Sequence, residues 1–228
     1  VKPPIRISRR AQGEIRSLSE WESKQLLSRY GVRIPPGVIC ESEAQAIAAA
    51  RAAQGPVAMK AISSELLHKT EAGAVMLEVE GDEAVGAAFE KLSPLGEGVL
   101  VEPMIRDVVA ELILGAARDP VVGLHLLIGA GGVMAEVLRD VAVLLLPVER
   151  SDVLNALQSL RVWPLLQGFR NRPAADVDAV VESVLALQAF VMEHLDTLEE
   201  LDINPLIVRA ETQGAVAADA LIRLRAGG

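Results

Sequence analysis

The sequence has few of the residues that mark disulfide-bonded, membrane-spanning or nucleic-acid-binding proteins. Cys40 is the single cysteine among 228 residues, so no internal disulfide can form, which suits a cytoplasmic protein. No apolar run reaches the roughly 18 residues of a membrane span, and the longest aliphatic segment, VAVLLLPV, has the length of a buried strand. The formal charge of -9 argues against a surface built to grip nucleic acid or an anionic membrane.

What the chain does contain is the composition of a globular protein with a sizeable core, since 51% of its residues are hydrophobic and 23% are charged. The opening residues, VKPPIRISRR, carry paired prolines and no following hydrophobic region. We interpret residues 1–13 as a tail or linker and expect one ordered domain over residues 14–228. Because the sequence lacks an initial methionine, we expect an excised domain of a longer chain.

Helix-start signals recur along the chain. Capping residues are predicted at the first turn of four helices, at Ser19, Ser42, Asp82 and Ser151. The first two are followed three residues later by Glu22 and Gln45, the spacing of a capping box. A long amphipathic helix is predicted from Asp176 to Leu195, with its apolar residues on one stripe.

Strand-like runs lie between these helices and dominate from Gly98 onward. Several follow one another too closely for helical crossovers, so antiparallel pairing is the economical interpretation. In AVMLEVE, the alternation predicts that Val75, Leu77 and Val79 share one face. The pattern predicts an α+β protein with mixed or antiparallel sheets and flanking helices.

The C-terminal segments ELDINPLIVRA and GAVAADALIRL predict a β-hairpin. Asp202 and Asn204 are two residues apart and so project from the same face of a strand. Counting back from a turn at Thr212 and Gln213 places Asp219 opposite Leu206, diagonal to Asn204. Two carboxylates and an amide oxygen on one patch fit Mg²⁺ or Mn²⁺, although a solvated strand face fits the pattern equally well.

Other polar residues are ambiguous when taken singly. Lys60 lies in the apolar run PVAMKAI, where its ammonium must either extend to water, the commoner outcome, or meet an anion such as phosphate. Glu102 and Glu111 interrupt apolar strands and would most often lie on a wet face. The glycines of residues 129–132 allow close approach to a phosphate or form a simple turn. His68 has no nucleophile partner at a recognisable spacing.

The order of these segments is more specific than any one of them. LSEWESKQLLSRYGV, PVAMKAISSELLHKTEAGAV, VLVEPMI, AELILGAARDP, IGAGGVMAEVLRDVA and ELDINPLI together resemble the ATP-grasp domain of ADP-forming (NDP-forming) acyl-CoA synthetases, which is related to the succinyl-CoA synthetase β-subunit. The resemblance spans residues 17–224. It implies an ATP-grasp fold of two lobes, with the smaller lobe at about residues 33–104.

The resemblance also implies roles for particular residues. Those that would bind ATP or ADP are Lys60, Gly73, Glu102, Met104, Ile105 and Glu111. Lys60 would hold phosphate, residues 102–105 would form the hinge that receives adenine, and Glu111 would contact the sugar or the metal-phosphate unit. Asn204 and Asp219 would hold Mg²⁺, with Asp202 as a supporting acid.

His68 would then be catalytic. In the family that this segment resembles, a histidine receives a phosphoryl group from a phosphohistidine of the CoA-binding partner and passes it to ADP. The reverse direction drives the formation of acyl-CoA from a carboxylic acid and CoA. The resemblance therefore implies CoA-binding and ligase domains on the same longer chain or on another subunit, with homo- or hetero-oligomers both compatible.

The segment departs from the family pattern HKSDxGGV at two places, where Thr70-Glu71 replaces Ser-Asp and Ala74 replaces a glycine. A Cβ at Ala74 would weaken nucleotide binding if the loop needs a positive φ or a close approach to phosphate there. Two alternatives stay open at this point. One is a degenerate regulatory module of a larger protein such as a lysine acyltransferase, and the other is an ATP-grasp ligase that forms an acyl phosphate directly and needs no histidine.

Overall fold

Two antiparallel sheets and the helices around them make up the computed structural model, which describes residues 14–63, 73–132 and 140–225. The helices are α1 Glu20–Ser28, α2 Glu43–Ala53, α3 Asp82–Leu92, α4 Arg150–Ser159, α5 Trp163–Leu166 and α6 Val177–Glu193. The strands are β1 Ile15–Ser17, β2 Val38–Cys40, β3 Val57–Ile62, β4 Val75–Val79, β5 Gly98–Pro103, β6 Val108–Asp119, β7 Gly123–Ala130, β8 Val141–Leu145, β9 Leu198–Arg209, β10 Ala215–Ala217 and β11 Leu221–Arg225.

The larger sheet has the order β1-β11-β9-β6-β7-β8, with β10 also paired to β9. The smaller sheet has the order β2-β5-β3-β4. Each pairing among the described strands is antiparallel, so the α+β prediction with antiparallel sheets is confirmed. Each sheet covers its own hydrophobic core.

The first two helices begin as the capping signals predict. At α1, Ser19 Oγ accepts a hydrogen bond from the Glu22 amide at 3.3 Å, and Glu22 Oε2 accepts one from the Ser19 amide at 2.8 Å. At α2, Ser42 Oγ accepts from the Gln45 amide at 3.4 Å. The reciprocal bond differs there, because Gln45 Oε1 accepts from Glu41 instead of Ser42.

Two predicted caps are wrong by one or two residues. The residue before α3 is Gly81, which has a φ of +86°, and Asp82 is the first helical residue, where its carboxylate pairs with Arg51. The cap of α4 is Glu149, whose amide donates to Asp152 Oδ2 at 2.8 Å, so Ser151 lies within the first turn. No side chain caps the start of α3, whereas at α4 the bond from the Glu149 amide to Asp152 closes the first turn.

Helix α6 confirms the long amphipathic prediction. Asp176 Oδ1 accepts from the Ala179 amide at 3.0 Å, and the residues Val180, Val181, Val184, Leu187 and Val191 are buried against the larger sheet. Among the helices of the three described ranges, none combines the length and the apolar character that a membrane span needs.

The longest aliphatic run is not the buried strand that its composition predicts. It forms β8 at the edge of the larger sheet, where Val141, Val143 and Leu145 are 49%, 58% and 62% exposed. Leu144 points the other way and is buried. The edge position explains the difference, because α4 packs against β8 on one face only.

Strand β4 contains a second departure from simple alternation. Glu78 has a φ of +56°, and the pairing of β3 with β4 shifts register between Val57 and Met59. Val75 and Leu77 consequently face a pocket, whereas Val79 turns into the core of the smaller sheet. The prediction that all three share one face is therefore wrong, since a bulge reverses the alternation.

Candidate functional site

A pocket of about 270 Å³ lies where the two sheets meet. Strands β3, β4 and β5 form one wall, and β6, β9 and the segment before β11 form the other. Predicted site residues that line this pocket are Lys60, Glu102, Met104, Ile105, Glu111, Asn204 and Asp219. The fold thus brings together groups that are up to 159 residues apart in the chain, from Lys60 to Asp219.

The pocket lining combines apolar side chains with a charged end at Lys60 and Glu102. Its apolar lining consists of Pro35, Ala58, Val75, Leu77, Pro103, Val108, Pro205 and Ile207, together with Met104 and Ile105. Apolar walls of this kind favour a weakly polar ring, because burying it between them excludes water. The Met104 amide donates a hydrogen bond to Pro56 O at 3.0 Å, which holds the segment that contains Met104 in place.

Lys60 stands at the charged end and is only 6% exposed. Its Nζ donates to Glu20 Oε1 and to Ala218 O, both at 2.7 Å, and lies 3.3 Å from Glu102 Oε2. The expectation that it extends to water is wrong, because carboxylates meet it inside the protein. Burial opposes its charge most strongly, but Glu20, Glu102 and Asp219 outweigh burial and raise the pKa of Lys60.

Glu102 likewise does not lie on a wet face, since it is 2% exposed. Its Oε1 accepts from Lys24 Nζ at 2.5 Å, while Oε2 faces Lys60. Room for the side chain depends on Gly37, because a Cβ there would lie 3.1 Å from Glu102 Cγ and 2.9 Å from a methyl of Leu100. The carboxylate is thus a buried part of the pocket wall.

Glu111 is exposed and lies at the edge of the pocket beside the glycine-rich segment. The Gly131 amide donates to Glu111 O at 2.8 Å, and a Cβ on Gly131 would come within 2.6 Å of the Leu112 backbone. Gly132 has a φ of +64°, and a Cβ there would overlap Glu111 Oε2. Close approach to β6 explains both glycines.

The C-terminal hairpin is confirmed, but the predicted register is wrong. Leu206 pairs with Ala217, and Asp202 pairs with Leu221, so Asp219 falls between these pairs at the level of Asn204. The count missed by two because the turn is centred on Glu211 and Thr212, one residue before the predicted centre, and β10 and β11 then keep the same register against β9. The correction places Asp219 opposite Asn204 and not diagonal to it.

Asp202 lies on the same strand as Asn204 but is not among the pocket-lining residues. Burial, followed by the charges of Asp219 and Glu200, raises the pKa of Asp202 to about 6. In the described ranges, no three His, Cys, Asp or Glu side chains converge as a metal cluster. The predicted donors are two carboxylates and an amide oxygen, which suit a hard divalent cation.

Replacing Asp202 with asparagine is expected to stabilise the metal-free protein at pH 7.5 by roughly 1–3 kcal/mol. In the folded protein, Asp202 keeps its proton up to about pH 6, whereas in the unfolded chain it releases the proton near the ordinary pKa of an aspartate. The free energy of unfolding of the wild type therefore falls as the pH rises between these two pKa values. Urea unfolding in EDTA measures the difference in free energy of unfolding between the Asp202→Asn variant and the wild type. The difference should be present at pH 7.5 and should vanish at pH 4.

The matched control is Asp107→Asn, because the Asp107 side chain is 71% exposed and its left-handed φ of +59° suits asparagine. An identical pH dependence of stability in the wild type and the Asp202→Asn variant would contradict the raised pKa.

Gly73 and Ala74 occupy different environments. Gly73 has the positive φ, +67°, and is exposed, but it does not line the pocket. Ala74 is not among the residues with positive φ, its side chain is buried in the core of the smaller sheet, and its carbonyl accepts from the Ala61 amide at 2.9 Å. The objection that Ala74 needs glycine geometry is therefore wrong. His68 lies in residues 64–72, outside the described residues.

Glu20 and Lys24 were not predicted as part of the site. Both are fully or almost fully buried on α1, and Lys24 Nζ donates to Glu20 Oε1 at 2.8 Å. Lys24 Nζ also donates to Ala218 O at 3.2 Å. The available signal was an acid and a base four residues apart on one predicted helix face. That spacing usually marks a solvated pair.

Comparisons with known proteins show the family to which the chain belongs. Residues 9–224 match the family model described as ATP-grasp domain. The chain is 33% identical over 224 residues to the acetate-CoA ligase [ADP-forming] II subunit beta of Pyrococcus furiosus, covering 94% of each. It is 38% identical to the acetate-CoA ligase [ADP-forming] II of Archaeoglobus fulgidus, covering 90% of this chain but 30% of that longer protein.

Solved structures give the same result. The dinucleotide forming acetyl-coenzyme A synthetase 1 of Ca. Korarchaeum cryptofilum, in complex with coenzyme A, Ca-AMPCP and HgCl⁺, has a TM-score of 0.85 at 29% identity and covers 92% of this chain and 94% of its own. A structure of that protein with coenzyme A and Mg-AMPPCP has a TM-score of 0.78 at 28% identity, with coverages of 92% and 93%.

Proposed function

Because the chain belongs to the ATP-grasp domain family, we propose that it is the nucleotide-binding component of an ADP-forming acyl-CoA synthetase. The observation that carries the proposal is the pocket between the sheets. It joins apolar walls to a buried lysine and to Asn204 of β9 and Asp219 of the segment before β11. A nucleotide needs these kinds of group, apolar walls for its base and a cation and oxygen ligands for its phosphates and metal.

The residues fit a magnesium nucleotide. The apolar lining around Met104 and Ile105 suits adenine, and Lys60 suits a phosphate oxygen. Asn204 and Asp219 would hold Mg²⁺, with Asp202 behind them and Glu111 at the rim. When bound, Mg²⁺ would neutralise phosphate oxygens and so lower the barrier to transfer.

The proposed reaction moves a phosphoryl group between the nucleotide and His68. In the direction of acyl-CoA formation, a ring nitrogen of His68 attacks the γ-phosphorus of ATP, a nitrogen-phosphorus bond forms and the bond to ADP breaks. The imidazole releases its proton, and the phosphoryl group then passes to the histidine of a CoA-binding partner domain. In the opposite direction, ADP receives the group.

The partner domains are proposed because the chain spans 94% of the Pyrococcus beta subunit but 30% of the Archaeoglobus single-chain ligase. CoA and the carboxylic acid would bind those other domains. A cytoplasmic location stays a prediction. The regulatory-module alternative loses its main support because Ala74 neither needs a positive φ nor faces the pocket.

Calorimetric titration with Mg-ADP and Mg-ATP tests the binding half of this proposal. The wild type should bind both nucleotides at a single site in the presence of Mg²⁺, and binding should weaken at least about tenfold in EDTA because the phosphate charges lose their counter-ion. A wild type that binds neither nucleotide would overturn the proposed function.

The metal assignment makes a separate prediction. Asn204→Ala and Asp219→Ala should each reduce the Mg²⁺-dependent part of ADP affinity about tenfold or more, because each removes a hard oxygen donor. Asp107→Asn, which alters an acid outside the pocket lining and suits its left-handed φ of +59°, is the control. If both site variants keep the wild-type response to Mg²⁺, the cation binds elsewhere.

A further inference from the structure

A closed network of four charges lies beneath the charged end of the pocket. Its members alternate in sign in the order Lys24, Glu20, Lys60, Glu102, and back to Lys24. Each carboxylate contacts both ammonium groups, and both lysines also donate to Ala218 O. The side chains are between 0% and 7% exposed, so water screens none of these contacts well.

The contacts of Lys60 are unequal. An ammonium group has three donors, and Lys60 uses two in hydrogen bonds of 2.7 Å to Glu20 and Ala218 O. Its contact with Glu102 is longer, at 3.3 Å. A phosphate oxygen entering the pocket would therefore replace Glu102 at Lys60 and leave the two shorter bonds in place.

Glu102 would then lose a cation while it remains buried. A buried carboxylate without a partner is costly, and this cost would be subtracted from the nucleotide's affinity. Lys24 removes that cost, because it contacts Glu102 Oε1 at 2.5 Å and is 0% exposed. Lys24 is itself held by Glu20 and by α1, whose Ser23 Oγ accepts from the Ile222 amide at 3.1 Å.

We propose that Lys24 is a positioning residue of the nucleotide site, which holds the Glu102 carboxylate so that Lys60 can exchange it for a nucleotide phosphate. This inference rests on the proposed function, because it assigns the phosphate to a bound nucleotide. Lys24 does not touch the nucleotide in this account. It acts through Glu102, and it supplies a reason for a buried lysine on a helix outside the pocket lining.

The test is a set of Mg-ADP titrations at a temperature where circular dichroism shows each variant to be folded. Lys24→Met should raise the Kd at least about tenfold, because Lys60 must then stay with Glu102. Adding Glu102→Gln to Lys24→Met should restore the Kd to within about threefold of Glu102→Gln alone, because the neutral amide no longer needs a cation. Glu22→Gln, on the same helix but outside the network, should leave the Kd unchanged.

The rescue distinguishes a positioning role of Lys24 from a merely structural one. If the role of Lys24 were only structural, Glu102→Gln would not recover affinity in a variant that is already folded. Wild-type binding that Lys24→Met leaves unaltered overturns the inference and leaves the proposed function standing. A loss of affinity in Lys24→Met that Glu102→Gln fails to rescue also overturns the inference and leaves the proposed function standing. A wild type that does not bind Mg-ADP overturns the proposed function and this inference together.

Discussion

His68→Ala is expected to abolish the transfer of label from γ-labelled ATP to this protein, a loss of at least about 1,000-fold, since no other group would replace the nucleophile. In the wild type with Mg²⁺, the label should be lost in acid and kept in base, as for a phosphohistidine. Neutral imidazole suits this role because it is nucleophilic near pH 7.

The control for this experiment is His125→Ala. His125 lies on β7, where Nδ1 is 3.2 Å from Gly123 O, and it does not line the pocket. It should leave labelling unchanged. Labelling that survives in His68→Ala would exclude the histidine relay. Nucleotide binding without any label in the wild type, even with a competent partner domain, would favour the regulatory module.

Lys60→Met is expected to weaken Mg-ADP binding about 100-fold or more. The substitution removes a charge-assisted hydrogen bond to phosphate, and losses of this kind at desolvated sites cost roughly 2–5 kcal/mol. It also removes one of the two lysines that Glu20 and Glu102 share, so the network becomes more negative and repels the nucleotide. Calorimetry gives the Kd directly.

Stability must be measured alongside, because breaking a buried ion network is itself destabilising by roughly 3–5 kcal/mol. Titrations are therefore made where the variant is folded. Lys91→Met, which alters an exposed lysine of α3, is the control and should bind normally. If Lys60→Met binds Mg-ADP as tightly as the wild type, the nucleotide phosphates do not meet this lysine.

Much of the fold could be predicted because its signals are local. The capping bond of Ser19 and the stripe of α6 depend on residues three or four positions apart, and both predictions are confirmed. The resemblance to the ATP-grasp domain and the α+β fold are also confirmed. The order of the motifs, and not any single residue, carried that information.

Some of the predictions that failed depend on contacts distant in sequence. Lys60 was expected to extend to water because its ion partners, Glu20 and Glu102, lie about 40 residues away on either side. Asp219 was placed opposite the wrong residue for a local reason, because the turn is centred on Glu211 and Thr212, one residue before the predicted centre. Lys24 could not be predicted at all, since only the packing of α1 against the sheets buries it.

The charged network also changes how the pocket is understood. A lysine in a strand suggests an isolated cation waiting for an anion, whereas Lys60 is already neutralised by Glu20 and Glu102. Nucleotide affinity in this account depends on an exchange of partners within a buried, balanced set of charges. We therefore expect the nucleotide to bind in the pocket between β3–β5 on one side and β6, β9 and the segment before β11 on the other.

A crystal structure of the full chain grown with Mg²⁺ and a non-hydrolysable ATP analogue tests that claim most directly. The account predicts the adenine against Met104 and Ile105, a phosphate oxygen at Lys60 Nζ in place of Glu102, and the cation between Asn204 and Asp219. An analogue bound at any other surface, with Lys60 still closed on Glu102, would contradict it.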